Sequence, residues 1–304
     1  MNKLIVIAGT NASGKSSLGI ELAERFSGEV VSADSRQIYT GLDLGSGKVT
    51  EEEMRGIPHH LLDVAQPNDM FTLSDYQEKA YEAIDDIISR GKVPFLVGGT
   101  GLYVNAVADG YQLCGYMPDE KTRATVEGMS IEELIAVISE KNPEALERLD
   151  LKNKRRLERA AEKALTGIRE ERPKQPRYET LVFGITWPRD VLYERIRIRL
   201  DTRLEQGMID EVVGLRRQGA SDEFLYRLGL EYRYILMYLR GEFGSYEEFY
   251  DKLFMEIRHL AKEQMTWFRK RNDLIWMDMS QGEEKVLAQM SEKIEKFTTE
   301  VCHG

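Results

Sequence analysis

The sequence predicts an α/β protein, in which a parallel β-sheet is flanked by helices and an all-helical domain is inserted into the chain. Three observations predict this architecture. Short apolar runs alternate with amphipathic segments over the first hundred residues, a glycine-rich loop directly follows the first apolar run, and a charge-rich helical stretch then interrupts the alternation. We expect a core domain of residues 1–110 and 178–304, and an inserted domain of residues 111–177.

The first apolar run, residues 4–8, predicts a buried strand, and residues 17–26 predict a helix. Between them lies a complete G-x-x-x-x-G-K-[ST] motif, the phosphate loop, which consists of Gly9, Thr10, Asn11, Ala12, Ser13, Gly14, Lys15 and Ser16. Such a loop surrounds an anion with backbone N–H groups at a helix N-terminus, and its lysine adds a mobile positive charge. The motif therefore predicts a P-loop NTPase-like sheet that binds a phosphate-bearing ligand. Kinases, NTPases and enzymes that hold another diphosphate all remain open at this point.

Two further strands are predicted, at residues 29–34 and 93–97. The first ends on Asp34, and the second runs into a glycine-rich turn that contains Thr100. Because parallel strands present their carboxyl ends at one edge of the sheet, both residues are expected beside the phosphate loop. Asp34 is our candidate general base, although it could instead cap a turn or orient metal-bound water. Thr100 is a candidate hydrogen-bond donor to reacting groups, unless its glycines serve only the turn.

The second half of the chain predicts two more strands, at residues 181–185 and 274–277, and long amphipathic helices with core stripes at residues 200–215 and 249–265. A helix is predicted between residues 73 and 90, and Thr72 and Asp75 at its start are spaced as a capping pair. Arg195, Arg199 and Arg203 recur every four residues and so share one helix face. That face could clamp a diphosphate or could simply be solvated. His59 and His60 are expected in a loop, without a metal.

Composition limits the class of protein and its partners. The 304 residues carry a net charge of −10, which by itself argues against a nucleic-acid partner. However, residues 152–177 hold ten basic and four acidic side chains, and residues 189–203 and 258–271 are also rich in Arg and Lys. Local basic patches of this kind can bind RNA, or they can be solvated helix faces. No apolar run is long enough for a signal peptide or a membrane span, and the two cysteines, Cys114 and Cys302, fit a reducing compartment, so we expect a cytoplasmic protein.

Seven segments together resemble one family, the tRNA dimethylallyltransferases, also called tRNA isopentenyltransferases. They cover almost the whole chain, and their order and spacing are highly specific. The segments are the phosphate loop, DSRQIY at 34–39, GLDLG at 41–45, PHHLLD at 58–63, GGTGLY at 98–103, RRLERA at 155–160 and QMTWFR at 264–269.

The resemblance implies that the ligand is dimethylallyl diphosphate and not ATP, and that Mg²⁺ is held by Ser16 together with the diphosphate. It implies that the acceptor is the exocyclic amine of the adenosine next to the anticodon, position 37, in the anticodon stem-loop of some tRNAs. Asp34 would deprotonate this amine, and Thr100 and Arg123 would contact substrate near the reacting centre. The phosphate loop, with Arg195 and Arg199, would hold the diphosphate. The residues expected to bind tRNA are Asp34, Ser35, Arg36, Gln37, Thr100, Arg123, Arg155, Arg156, Leu157, Glu158, Arg159, Gln264, Trp267 and Arg269.

Two segments depart from the family pattern. Glu263 stands where the family generally has Arg, and Gly-Leu-Glu-Tyr-Arg at 229–233 replaces an Ile-Gly-Tyr-Lys-Glu type of segment. Both departures bear on the choice of acceptor and leave the diphosphate chemistry unchanged. The alternatives to a monomeric tRNA-modifying enzyme are an adenylate (AMP, ADP or ATP) isopentenyltransferase, a P-loop small-molecule kinase, and an RNA-binding protein without catalysis.

Overall fold

The computed structural model describes residues 1–113, 120–147, 149–167 and 173–299. Contacts between Cα atoms divide the chain into two compact units. The core unit consists of Met1–Gly110 and the chain from Pro176 onward, and the inserted unit is Tyr111–Gln175. Both cysteines, and Arg169 and Arg172 of the basic stretch, lie outside the described residues.

The core unit contains a fully parallel six-stranded sheet in the described residues, with the order β3-β2-β4-β1-β5-β6. This confirms the predicted fold class. The central strand β1 is buried from Leu4 to Ala8, as expected for a parallel strand covered on both faces. The strands are β1 Asn2–Gly9, β2 Gly28–Ser32, β3 His59–His60, β4 Val93–Gly98, β5 Tyr178–Thr186 and β6 Leu274–Asp278.

Helices make up most of the remaining secondary structure. The capping pair predicted at the start of α3 is confirmed, because the Thr72 hydroxyl accepts from the Asp75 N–H while the Asp75 carboxylate accepts from the Thr72 N–H. None of the described helices is both long and apolar enough to cross a membrane. The helices are α1 Lys15–Arg25, α2 Glu51–Met54, α3 Leu73–Ser89, α4 Gly101–Ala108, α5 Glu120–Glu127, α6 Ile131–Lys141, α7 Pro143–Leu146, α8 Lys154–Leu165, α9 Arg189–Glu205, α10 Met208–Arg217, α11 Asp222–Leu228, α12 Leu230–Leu239, α13 Tyr246–Phe268 and α14 Glu283–Thr299, with a short 3₁₀-helix at Met279–Gln281.

The edge strand β3 corrects the prediction of a loop at His59 and His60. These residues pair with Val30 and Val31 of β2. The imidazole Nε2 of His60 also lies 2.7 Å from a carboxylate oxygen of Glu29, at the start of β2. A strand of two residues is too short to show periodicity, so its pairing depends on its neighbour in the sheet and not on its own sequence.

The sheet separates two hydrophobic clusters of the core unit. Ile5 and Ile7 pack with α1 and α14, whereas Leu4 and Val6 pack with α3 and α4. A third cluster joins α9, α10, α12 and α13 and contains most of the predicted core stripes. Leu260 and Met265 are the exceptions, since both are only partly buried, and Leu260 lines a cavity. The carboxyl ends of the strands therefore meet this helical layer, which supplies side chains to the site.

The described part of the inserted unit is helical and has its own small core. Val126, Leu134, Ile138, Leu157 and Ala161 are fully buried, and they come from α5, α6 and α8. An amphipathic pattern on each helix is sufficient to bury one side and to expose the charged one.

Candidate active site

The phosphate loop joins β1 to α1 in the way that its sequence predicts. Gly14 precedes the helix with φ of 89°, a left-handed conformation that glycine adopts without a steric penalty. The first N–H groups of α1 point out of the N-terminus of the helix and have no acceptor within it. The loop can therefore receive an anion at the carboxyl end of the central strand.

Side chains from the C-terminal helices hold this loop in place. Gln264 of α13 accepts from the Asn11 N–H at 2.8 Å and donates to the carbonyl oxygen of Gly99 at 3.0 Å. A Cβ atom on Gly99 would lie 2.8 Å from the Gln264 amide nitrogen, so a side chain at this position would displace the Gln264 amide. Arg195 Nε donates to the Ala12 carbonyl oxygen at 2.9 Å, and its guanidinium stacks on Trp187. Gln264 and Arg195 thus act on the shape of the loop.

A cavity of about 330 Å³ opens beside the loop in the core unit. It is lined by residues of the phosphate loop, the segment after β2, the turn after β4, and helices α9 and α13. Most of the predicted site residues of the core unit meet here. Those that line the cavity are Asn11, Ala12, Lys15, Ser16, Asp34, Ser35, Arg36, Gln37, Thr100, Arg199, Gln264 and Trp267.

Three cations share one side of the cavity: Lys15, Arg199 and Arg203. The pKa of Lys15 is lowered to about 8, chiefly by burial and also by the charges of Arg199 and Arg203, against the opposing effect of Asp34. Burial and the charge of Arg203 lower the pKa of Arg199 to about 10. Burial also lowers the pKa of Arg203. Because these charged forms are disfavoured while no anion is present, an anionic ligand would stabilise all three.

Asp34 and Thr100 lie at the ends of the neighbouring strands β2 and β4. An oxygen of the Asp34 carboxylate accepts from the Arg36 N–H at 3.0 Å, so Asp34 caps a turn while it lines the cavity. The Thr100 hydroxyl oxygen accepts from the Ser35 N–H at 3.0 Å. The Thr100 N–H donates to the Ala33 carbonyl oxygen at 3.1 Å. These bonds fix the two strand ends relative to each other.

Arg36 and Gln37 use their side chains for contacts within the protein. The Arg36 guanidinium donates to the Leu228 carbonyl oxygen at 3.2 Å and to a carboxylate oxygen of Glu231 at 3.0 Å. The Gln37 amide donates to the Gly47 carbonyl oxygen at 3.1 Å. Arg203, a member of the predicted arginine face, lines the cavity, and so does Glu231, which is absent from the predicted site residues. The signals that point to them are the departure at residues 229–233 and the four-residue spacing of the arginines.

The three predicted residues near the end of α13 have different environments. Gln264 bridges the loop and the turn, as described above, and Trp267 packs directly against Gly101 at the cavity wall. Arg269 is exposed beyond the helix end. Glu263 lines the cavity and lies 3.3 Å from His259 Nε2, so the acidic departure faces the site.

The predicted residues of the inserted unit are arranged around α8. Arg155 and Arg156 are exposed. Arg123 and Arg159 both reach the buried carboxylate of Glu162, at 3.6 Å and 2.8 Å. Leu157 is 0 % exposed and packs in the core of the unit, so its side chain stabilises the helix and offers no surface to RNA. Glu158 forms an i,i+4 ion pair with Lys154 at 3.5 Å.

The described residues contain no group of three or more His, Cys, Asp or Glu side chains that could hold a metal ion by themselves. The Ser16 hydroxyl of the phosphate loop and the carboxylates of Asp34, Glu231 and Glu263 do line the cavity. This donor set suits Mg²⁺, which commonly binds through few protein ligands together with phosphate oxygens of a substrate.

Comparisons with known proteins agree with one another. A family model described as IPP transferase matches residues 37–271. A tRNA dimethylallyltransferase 2 of Shewanella sediminis is 44 % identical over 269 residues, which are 88 % of this chain and 89 % of the relative. A tRNA dimethylallyltransferase 1 of Syntrophus aciditrophicus is 42 % identical over 289 residues, 91 % of this chain and 94 % of the relative. The crystal structure of a tRNA isopentenylpyrophosphate transferase from Bacillus halodurans superposes with a TM-score of 0.76 at 37 % identity, covering 97 % of this chain and 96 % of that one.

Proposed function

Because the chain belongs to the IPP transferase family, whose relatives are prenyl-transferring enzymes that act on tRNA, we propose that it transfers a dimethylallyl group from dimethylallyl diphosphate to tRNA. The acceptor is the exocyclic amine of the adenosine adjacent to the anticodon, at position 37, and the product is N6-dimethylallyladenosine. The observation that carries this proposal is the single cavity that combines an anion-binding loop, three cations and the carboxylate of Asp34.

The cations suit the leaving group of this reaction. When the allylic C–O bond breaks, negative charge develops on the diphosphate while positive charge spreads over the allyl carbons. The phosphate loop amides and Lys15 would bind the diphosphate, and Arg199 and Arg203 would neutralise its growing charge. Groups that are already oriented in a partly buried cavity stabilise such charge better than water does.

An apolar part of the cavity suits the five-carbon chain. Leu200, Ile257 and Leu260 lie on α9 and α13, close in sequence to the cationic and polar residues of the same helices. Apolar side chains would exclude water from the carbocation-like group and so protect it from hydrolysis.

Asp34 is the proposed proton acceptor for the adenine amine. An aromatic amine is a weak nucleophile, so a carboxylate within hydrogen-bond distance of its N–H promotes attack on the allylic carbon. The C–N bond forms as the C–O bond breaks, the diphosphate leaves with the electron pair, and Asp34 receives the proton. Thr100 would hydrogen-bond near the reacting groups. For this geometry the adenine must leave the stack of the anticodon loop, as bases do in other nucleic-acid-modifying enzymes.

Mg²⁺ is the proposed cofactor, held by the Ser16 hydroxyl together with diphosphate oxygens. It would add positive charge at the leaving group.

RNA binding is proposed for the exposed Arg155 and Arg156 of α8 and for Arg269 of the core unit. Arg123 is proposed to contact substrate near the reacting centre. We expect the enzyme to act as a monomer in the cytoplasm.

The test is transfer to a defined RNA. The protein is incubated with Mg²⁺, dimethylallyl diphosphate and an unmodified anticodon stem-loop, and the mass of the RNA is measured by mass spectrometry. We expect the mass increase of one dimethylallyl group, and no increase when inosine, which lacks the exocyclic amine, replaces the adenosine. Transfer to free AMP but not to the stem-loop would overturn the assignment of the acceptor. Tight calorimetric binding of ATP without binding of dimethylallyl diphosphate would overturn the assignment of the donor.

A further inference from the structure

The junction between α11 and α12 has an unusual backbone conformation. Gly229 has φ of 75° and ψ of −177°, and Leu230 has φ of 39°. The first conformation is open mainly to glycine, and the second is rarely adopted by a side chain as large as leucine. Strained residues persist where the surroundings fix them, and they collect at functional sites. The residue that follows this junction, Glu231, lines the active-site cavity.

Glu231 forms a shielded ion pair with Arg36. Their side chains are 8 % and 21 % exposed, and the shortest N–O distance is 3.0 Å. The Arg36 guanidinium also donates to the Leu228 carbonyl oxygen, which belongs to the same junction. Glu231 lies in the first turn of α12, where the helix dipole further stabilises its negative charge. The junction thus presents two acceptors, the Leu228 carbonyl oxygen and the Glu231 carboxylate, to the Arg36 guanidinium.

The main chain of Arg36 in turn holds Asp34. Its N–H donates to the Asp34 carboxylate at 3.0 Å, and the neighbouring Ser35 N–H donates to Thr100. A displacement of Arg36 would therefore move the carboxylate that the proposed mechanism requires. Catalytic groups must be held within about 0.5 Å of their productive position, and supporting contacts provide that accuracy.

We propose that Glu231 is a positioning residue, which fixes the Asp34 carboxylate through its ion pair with Arg36. This inference deepens the proposed function and rests on it, because Asp34 must act on a substrate for its position to matter. Charge alone points to a competing role, since Glu231 helps to stabilise the charges of Arg199 and Arg203. The two roles predict different kinetic effects: the ion pair with Arg36 acts on kcat, whereas a charge partner of the arginines acts on diphosphate affinity.

The experiment is a double-mutant cycle with Glu231→Ala, Arg36→Met and the double variant. We expect each single substitution to lower kcat at saturating substrates by about 10- to 100-fold, as loss of positioning does. The Kd for dimethylallyl diphosphate should change less than about threefold, and the double variant should lose little more than either single one, since the two residues act as a unit. A double variant whose loss of kcat is the product of the two single losses would overturn the proposal. So would a Kd that changes as much as kcat. If Glu231→Ala does not fold, Glu231→Gln weakens the same contact more gently.

A second readout requires no activity. Hydrogen exchange of the Ser35 and Arg36 amides, followed by NMR in the protein without ligand, should become faster in Glu231→Ala. The matched control is Glu29→Ala, which removes a buried carboxylate paired with Arg90 at the opposite end of β2. This control should lower stability without changing exchange at residues 35 and 36 or kcat. Unchanged exchange in Glu231→Ala, or the same response in both variants, would overturn the proposal. A wild-type protein that transfers nothing would instead refute the proposed function, while the exchange data still decide the inference.

Discussion

Two sides of the same cavity differ in whether their charged groups already have partners within the protein. On the cationic side, Lys15, Arg199 and Arg203 lie together, and burial lowers the pKa of each. Neighbouring positive charges also lower the pKa values of Lys15 and Arg199. On the paired side, the Asp34 carboxylate and the Arg36 guanidinium already have partners, which include Glu231. The cationic side gains stability when an anion arrives, whereas the paired side has its geometry fixed beforehand. Substitutions on the cationic side should therefore change the affinity for the diphosphate as well as the rate, whereas those on the paired side should change the rate alone.

The largest expected effect is on the paired side. Asp34→Asn removes the proton acceptor but keeps an oxygen that can accept from the Arg36 N–H. We expect kcat for transfer to an anticodon stem-loop to fall by about 10²- to 10⁴-fold, the usual contribution of a general base. The Kd for dimethylallyl diphosphate, measured by calorimetry, should stay within about threefold. Weakened diphosphate binding at a retained rate would assign Asp34 to the cationic side instead.

The next effect concerns Lys15. Replacing it by alanine removes a buried charge from the phosphate loop, and the Kd for dimethylallyl diphosphate should rise by about 10- to 100-fold, the range for a charged hydrogen bond. The control is Lys285→Ala, which removes an exposed lysine from α14. If both variants bind alike, the lysine of the loop contributes no specific contact.

The pH dependence of binding sharpens the same comparison. The pKa of Lys15 is about 8 in the protein without ligand, so the group is largely charged at pH 7 and largely neutral at pH 9. A bound diphosphate favours the charged form of Lys15. Above about pH 8, where Lys15 is mostly neutral, binding must therefore be accompanied by uptake of a proton. Affinity should fall roughly tenfold between pH 7 and pH 9. Lys15→Arg, whose charge persists over this range, should give a nearly flat profile; an equally steep profile would show that another group titrates.

A smaller effect is expected outside both sides, at a carboxylate that orders the loop next to them. Glu211 accepts from the N–H groups of Asp43, Leu44 and Gly45 and from the Tyr232 hydroxyl. Glu211→Ala should lower the free energy of unfolding by about 1–3 kcal/mol, because backbone donors lose their acceptor. Urea unfolding measures this change, with Glu283→Ala on the exposed start of α14 as the control. Equal stability of both variants would mean that water replaces the carboxylate without cost.

The smallest effect belongs to the exposed arginines of the inserted unit. Arg155→Ala with Arg156→Ala should weaken RNA binding at low salt and reduce the slope of log K against log salt by about 1.4, if each arginine contacts one phosphate of a single-stranded loop. Arg227→Ala, at an exposed ion pair of α11, provides the control. An unchanged slope would mean that these side chains are only solvated.

Local patterns predicted much of this site. The phosphate loop and the strands that end near Asp34 and Thr100 follow from short runs of residues, because glycine conformation and strand burial depend on neighbours in sequence. The capping pair at Thr72 and Asp75 was predictable for the same reason. Gln264 and Trp267 came only from the family resemblance, which did not reveal that Gln264 bridges the loop and the turn.

The sequence by itself therefore determined the α/β class, the anion-binding loop and the carboxylate beside it. Tertiary structure alone decided the short strand β3, the burial of Leu157 and the pairing of Arg36 with Glu231. The physical reason is separation along the chain. Arg36 and Glu231 are 195 residues apart, and the sheet and the C-terminal helices must assemble before the two can meet. No local propensity encodes such a contact, although the unusual segment at residues 229–233 marked where to look.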